Sequence, residues 1–268
     1  MSAHDTALAD ATLPPGVADG QATMPGLLRY RARHTPDRMA LREKVRGIWQ
    51  GVTWGDYFQK VQSFALYLRA QGFGPGDKLV IASDGSPEWF YADLAAQSLG
   101  GVTVGIYPTN PWPELQYIVR HCRAKVAVCG DQEQTDKVLE AMRQGDGLPD
   151  LRKVLTVDWK GMRHYTDECL MPFADALAQG HQLAANASDV AALAAAIERF
   201  TDAQWRHLSA EEKLILPAAR RHLLDDDWRE IETAFRQNAE FRVGSERDEA
   251  FKLLFVRLMN MASEDAQP

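Results

Sequence analysis

Hydrophobic positions divide the chain into two regimes. Between residues 24 and 157 short apolar runs alternate with stretches of helical spacing, and a glycine or proline stands at most junctions. The pattern is clearest over 89–136. Trp89, Phe90, Ala92, Leu94, Ala95 and Leu99 fall at helical spacing, and Gly100-Gly101 is placed to cap that helix in the left-handed region. Val102-Thr103-Val104-Gly105-Ile106 then predicts a strand buried on both faces, because parallel strands covered by helices show near-continuous apolar runs. Pro108 stops it. A helix over 113–122 feeds a second buried strand, 125–129, and Asp131 is placed to cap a third helix that reaches residue 142. Strands and helices alternating at this pitch predict an open, mostly parallel α/β sheet with right-handed crossovers.

The flanking elements fit the same sheet. Residues 25–34 predict a short helix with Pro25 in its first turn, and 39–44 and 48–53 a β-hairpin around Val45-Arg46-Gly47. Thr53 is an N-cap with Asp56 at the capping-box position, ahead of an apolar stripe of Tyr57, Val61, Phe64, Ala65 and Leu68. Strands follow over 78–83 and 152–157, whereas 158–180 keeps no sustained period. Residues 1–22, rich in Ala, Asp, Pro and Gly, read as a flexible leader.

Beyond Gly180 the pattern becomes helical throughout. Val190, Leu193, Ile197, Phe200 and Trp205 keep helical spacing over 188–207, and 208–223 continues it. Asp225-Asp226-Asp227 places acids at the start of a helix reaching residue 238, and a last helix spans 248–261. This is the material of a partial four-helix bundle. The expected organisation is a leader (1–22), an α/β part (23–180) and an all-α part (181–268).

Composition narrows the partners. A net charge of -7 and a pI near 5.5 argue against an extended nucleic-acid surface, which needs clustered Lys and Arg. No apolar run approaches a membrane span and the N-terminus lacks the form of a signal peptide, so the expectation is a cytoplasmic protein. Cys122, Cys129 and Cys169 have no CxxC spacing and read as neutral thiols.

The residues Glu88-Trp89, Ala92-Asp93-Leu94-Ala95-Ala96, Gly100-Gly101-Val102, Gly105-Ile106-Tyr107-Pro108-Thr109, Tyr117-Ile118 and Asp136-Lys137-Val138-Leu139 carry a resemblance. Over about 23–178 the chain resembles the N-terminal part of the AMP-forming acyl-CoA synthetases, the adenylate-forming ligases, and most of all their long-chain fatty acyl branch. That resemblance implies a partial adenylate-forming N-terminal domain. It also implies a Ser/Thr/Gly-rich loop of the form TSGTTGxPKG for the ATP phosphates, a Glu-bearing loop for magnesium, and later acidic and lysine residues. None of these is present in the sequence, so ATP, magnesium and CoA are expected only if a missing part were supplied, and no catalytic residue carries over. Tyr107, Pro108, Thr109 and Asn110 fall at the C-terminal end of a predicted parallel strand, where open α/β sheets place ligands, and are the candidate substrate-pocket residues. The plainer reading is that Pro108 and Asn110-Pro111 simply end the strand.

A second resemblance, over about 182–262, is to the C-terminal half of hemerythrin-like (HHE cation-binding) domains. It is carried by His207-x-x-x-Glu211-Glu212, Leu216-Pro217-Ala218-Ala219, Arg221-His222-Leu223, Asp227-Trp228 and Phe235. His207 and Glu211, at i and i+4, project from one helix face and are candidate iron ligands, with His181 as a third. Three readings follow: an acyl-CoA ligase-like protein that ends before the phosphate loop and is not competent alone, an iron-binding module completed by homodimerisation through the C-terminal helices, or an inactive fusion of two domain fragments joined near 178–182.

Overall fold

The computed structural model describes residues 23–224, 226–230 and 233. The expected leader, the end of the helix predicted to reach residue 238, and the last predicted helix over 248–261, with Phe235, lie outside the described residues.

Thr23 opens α1 (Met24–His34) by accepting a hydrogen bond from the Gly26 amide. The hairpin follows as β1 (Met39–Val45) and β2 (Ile48–Thr53), antiparallel with Val45 opposite Ile48. Arg46 and Gly47 both have positive φ, 49° and 84°, the backbone of a two-residue turn whose twist suits a hairpin. The capping box then forms as the sequence predicts. The Thr53 hydroxyl accepts from the Asp56 amide at 3.1 Å and the Asp56 carboxylate accepts from the Thr53 amide at 3.4 Å, opening α2 (Trp54–Ala70).

The main sheet is built from β3 (Lys78–Ala82), β4 (Val102–Ile106), β5 (Val126–Cys129), β6 (Lys153–Thr156) and β7 (Leu170–Pro172), in the order β4-β3-β5-β6-β7 and parallel throughout. Its connecting helices are α3 (Pro87–Ser98), α4 (Trp112–Cys122) and α5 (Gln132–Arg143). Alternation along each strand divides the core into two layers. Leu79, Ile81, Val126, Val128 and Leu155 face the helices α1, α2 and α3, while Val80, Ala82, Ala127, Cys129 and Val154 face α4 and α5. Phe64, Tyr67 and Phe173 are among the largest fully buried side chains, each contributing about 1.5–3 kcal/mol through burial.

Two sequence expectations change here. The strand 102–106 is not buried on both faces: β4 is the edge of the sheet, and Val102 and Gly105 are exposed because only β3 flanks it among the described residues. In addition, 158–180 contains β7 and most of α6 (Phe173–Leu183). A three-residue strand carries too little sequence to show a period.

The chain divides into two compact units, 1–202 and 203–268. The first therefore continues past Gly180. The helix α7 (Ala187–Ala210) begins within it, burying Leu193 and Ile197 in the same layer as α1 and α2. Arg69 holds the start of α7 through two bonds, to the Asp189 main-chain carbonyl at 2.8 Å and to its carboxylate at 3.1 Å. In the second unit α7 runs into a π-helical turn, Glu211–Ile215, and then α8 (Leu216–His222), with 226–230 also helical. Trp205, placed by its spacing on an apolar stripe, is 46% exposed, as are Leu208, Leu214 and Leu216 to a similar degree. The described residues here are helical, and no four-helix bundle is seen among them.

Candidate functional site

The strand order locates the ligand side of the sheet. From β3 the chain leaves through α3 into one layer, and from its neighbour β5 through α5 into the other. Adjacent strands whose connections part to opposite faces open a crevice at their C-terminal ends, the position at which doubly wound sheets bind ligands. Here that crevice is framed by Ser83-Asp84-Gly85-Ser86 and by Gly130-Asp131.

The two rims are in contact. The Gly130 amide donates to the Ala82 carbonyl at 2.9 Å, and the Gly130 carbonyl accepts from the Asp158 amide at 2.9 Å. A Cβ at residue 130 would stand 2.6 Å from the Ser83 hydroxyl oxygen and 3.1 Å from the Ser83 Cβ, so glycine lets the two rims approach closely here. Ser86 caps α3, accepting from the Trp89 amide at 3.4 Å, and Asp131 caps α5, accepting from the Gln134 amide at 3.0 Å. Two helix N-termini thus flank the crevice with the positive ends of their dipoles. Each already has an oxygen of its own chain on a first-turn amide.

Tyr107, Pro108, Thr109 and Asn110 do lie at a strand end, directly after β4, but they form a surface turn in which the Asn110 amide donates to the Tyr107 carbonyl at 3.0 Å. Tyr107 is 71% exposed. The Pro108 carbonyl is engaged from below, accepting from Lys137 Nζ at 2.6 Å and Gln134 Nε2 at 3.2 Å, and Lys137 also pairs with Glu133 at 2.8 Å. The ammonium group therefore fastens the turn to α5. Tyr165 donates to the Asp136 carboxylate at 2.6 Å, and that bond is the main reason its phenol is pushed above the ordinary tyrosine range.

The candidate metal ligands are distributed differently from the expectation. His181 is an exposed residue of α6 in the first unit, while His207 and Glu211 belong to the second. His207 Nε2 and Glu211 Oε1 are 3.0 Å apart, so the predicted i, i+4 pair is formed, on a largely exposed face. No group of three or more His, Cys, Asp or Glu among the described residues is arranged to hold a metal ion. One histidine and one carboxylate are fewer ligands than a bundle iron site uses, and no third ligand joins them among the described residues. The cysteines are all free, and burial pushes the Cys129 thiol up to about 12.

The sequence points to the end of β4 as a pocket and does not mark Ser83, Asp84, Ser86, Gly130 and Asp131 as a group. Their signal was present: each group follows directly on a buried strand and combines small with acidic residues. What the sequence does not display is that β3 and β5 are neighbours in space.

The AMP-binding enzyme family matches residues 28–194 of the 268, and the chain belongs to that family. The match runs past Gly180 into α7. Among curated relatives, the long-chain-fatty-acid–CoA ligase ACSBG1 of Bos taurus is 30% identical over 119 residues, 44% of this chain and 16% of that protein. The long-chain-fatty-acid–CoA ligase heimdall of Drosophila melanogaster is 31% identical over 148 residues, 54% of this chain and 20% of that protein. The chain thus spans a fifth or less of the length of these two relatives. An inhibitor-bound crystal structure of the N-terminal domain of FACL13 from Mycobacterium tuberculosis aligns with a TM-score of 0.49 and 21% identity, covering 57% of this chain and 35% of that one. No helix among the described residues is long and apolar enough to cross a membrane.

Proposed function

We propose that the first compact unit is the opening part of the adenylate-forming domain of a long-chain acyl-CoA ligase, and that this chain does not activate fatty acids by itself. The carrying observation is the AMP-binding enzyme match over 28–194, which lies on a parallel sheet whose connections part to opposite faces after the neighbouring strands β3 and β5. In the proposed reaction a fatty carboxylate oxygen attacks the α-phosphorus of ATP and pyrophosphate leaves; the CoA thiol then attacks the acyl carbon, AMP leaves and the thiol proton passes to solvent. Both steps build negative charge on phosphate oxygens, which needs magnesium and a cradle of free amides and cations. The crevice here has self-capped helix ends and Asp84, and its nearby Lys137 is committed to Pro108 and Glu133. ATP, magnesium and CoA would be engaged only with further residues supplied.

The test is AMP release from ATP, magnesium, CoA and palmitate by the purified 268-residue chain. We expect no release above the protein-free rate; fatty-acid-dependent AMP would overturn the reading of incompetence.

A second reading, iron held between two copies of the helical part, draws on the formed His207–Glu211 pair, which two-fold association would present twice. Metal content and solution mass decide it. Near-stoichiometric iron in a dimer supports this reading, whereas a metal-free monomer rejects it. An inactive composite of two fragments is the third reading, favoured by a sample with neither activity nor metal.

A further inference from the structure

The helical layer on the α1 side of the sheet contains a cavity of about 330 Å³ between α1, α2, α3 and α7. It exists because the facing positions are small: Ala32 on α1, Ala65 on α2 and Ala194 on α7 leave a gap that larger side chains would fill. Its walls are apolar, with Leu28, Val61, Leu193 and Ile197 all buried. The wall contributed by α7 is fixed near both ends, by Arg69 on Asp189 and by the hydroxyls of Thr23 and Thr201, 3.1 Å apart.

The charged side chains lining this cavity are Arg29 and Arg33, and no Asp or Glu lines it. They are four apart on α1 and so lie on one helix face. Arg31, between them, is exposed and takes no part in the lining. Neither Arg29 nor Arg33 forms an ion pair or hydrogen bond with another described residue. An apolar chamber with a few convergent polar groups is the usual build of a small-molecule site, and this volume sits at the low end of the roughly 300–1,000 Å³ that such sites span. Two guanidinium groups without a carboxylate partner match a planar anion, which each can bind through a two-pronged hydrogen bond.

We propose that this cavity is a binding site for an amphipathic monoanion, a medium-length aliphatic chain seated between α2 and α7 with its carboxylate on Arg29 and Arg33. The site is separate from the crevice at the ends of β3 and β5 and does not depend on the ligase reading.

The experiment is calorimetric titration of the full chain with sodium decanoate below its micellar concentration, with decyltrimethylammonium as a probe of equal chain length and opposite charge. The expected result is saturable binding of one decanoate per chain, at least tenfold tighter than the cation. Arg29→Gln with Arg33→Gln should weaken decanoate binding at least tenfold without changing the melting temperature, because both side chains reach solvent. Ala194→Trp should abolish binding by filling the chamber. Should that variant fail to fold, the arginine variant decides alone. Absence of saturable binding, equal affinity for the two probes, unchanged affinity in the arginine variant, or heat that tracks only the dissociation of a dimer would each overturn the proposal.

Discussion

The backbone carbonyl of Ser63 in α2 lies where a side chain on Gly180 of α6 would begin, so the two helices meet backbone against backbone. Gly180 is buried within a helix and has no conformational need to be glycine; the requirement is space. Gly180→Ala should therefore destabilise the fold by about 1–3 kcal/mol or more, since a main-chain carbonyl can yield only by moving a helix. Gly130→Ala meets the Ser83 hydroxyl, which can rotate away, and should cost less. Urea denaturation of both variants checks the order.

Removing the capping box gives a local test. Thr53→Ala deletes the oxygen that accepts from the Asp56 amide and the hydroxyl that donates to the Asp56 carboxylate at 2.8 Å. A loss of about 1 kcal/mol is expected in the same denaturation assay.

Stability should fall at alkaline pH for an identifiable reason. Burial raises the Cys129 thiol from 9.0 to about 12, and burial first, then nearby acids, raises the Tyr57 and Tyr91 phenols above their ordinary 10.0. The folded state holds these protons more tightly than the unfolded chain. Their contribution is fully present below about pH 9 and is lost as pH rises from 9 toward 12, each group adding up to about 1.4 kcal/mol per pH unit once its unfolded form has ionised. Urea midpoints measured across that window should decline, and Cys129→Ala should make the decline shallower between pH 9 and 10, where the phenols do not yet contribute.

The hold on α7 separates two contributions from one arginine. Asp189→Asn keeps the bond from Arg69 to the main-chain carbonyl and should cost a few tenths of a kcal/mol, because the ion pair is partly exposed. Arg69→Ala loses both bonds, and amide exchange over 187–202 should quicken more than in Asp189→Asn. Equal exchange in the two variants would show that the main-chain bond contributes nothing.

Local chemistry in this chain was readable, while neighbour relations were not. The Thr53 and Asp131 caps, the turn at Arg46-Gly47 and the parallel strands are written in contiguous residues, and each forms where those residues stand. The run Val102 to Ile106 reads the same at the centre of a sheet as at its rim, because burial of a strand depends on what pairs with it. For the same reason Tyr107–Asn110 drew attention as a strand end, while the crevice between β3 and β5 needed the spatial order. The alanines of α7 suggested a change of domain, yet Ala194 faces the first unit's own cavity. His207 and Glu211 were correctly placed on one face, but helical spacing says nothing of whether other ligands converge there.

The rim strand has a consequence for handling the protein. One side of β4 offers its amides and carbonyls to no other described strand, with Val102 exposed beside them and the Thr103 hydroxyl buried without a partner among the described residues. Such a row is a template for any extended peptide of suitable length. As concentration rises the sheet can therefore grow sideways from one molecule into the next. A charge at position 102 opposes such pairing, so Val102→Lys should lower the light scattering of concentrated samples relative to the unchanged chain.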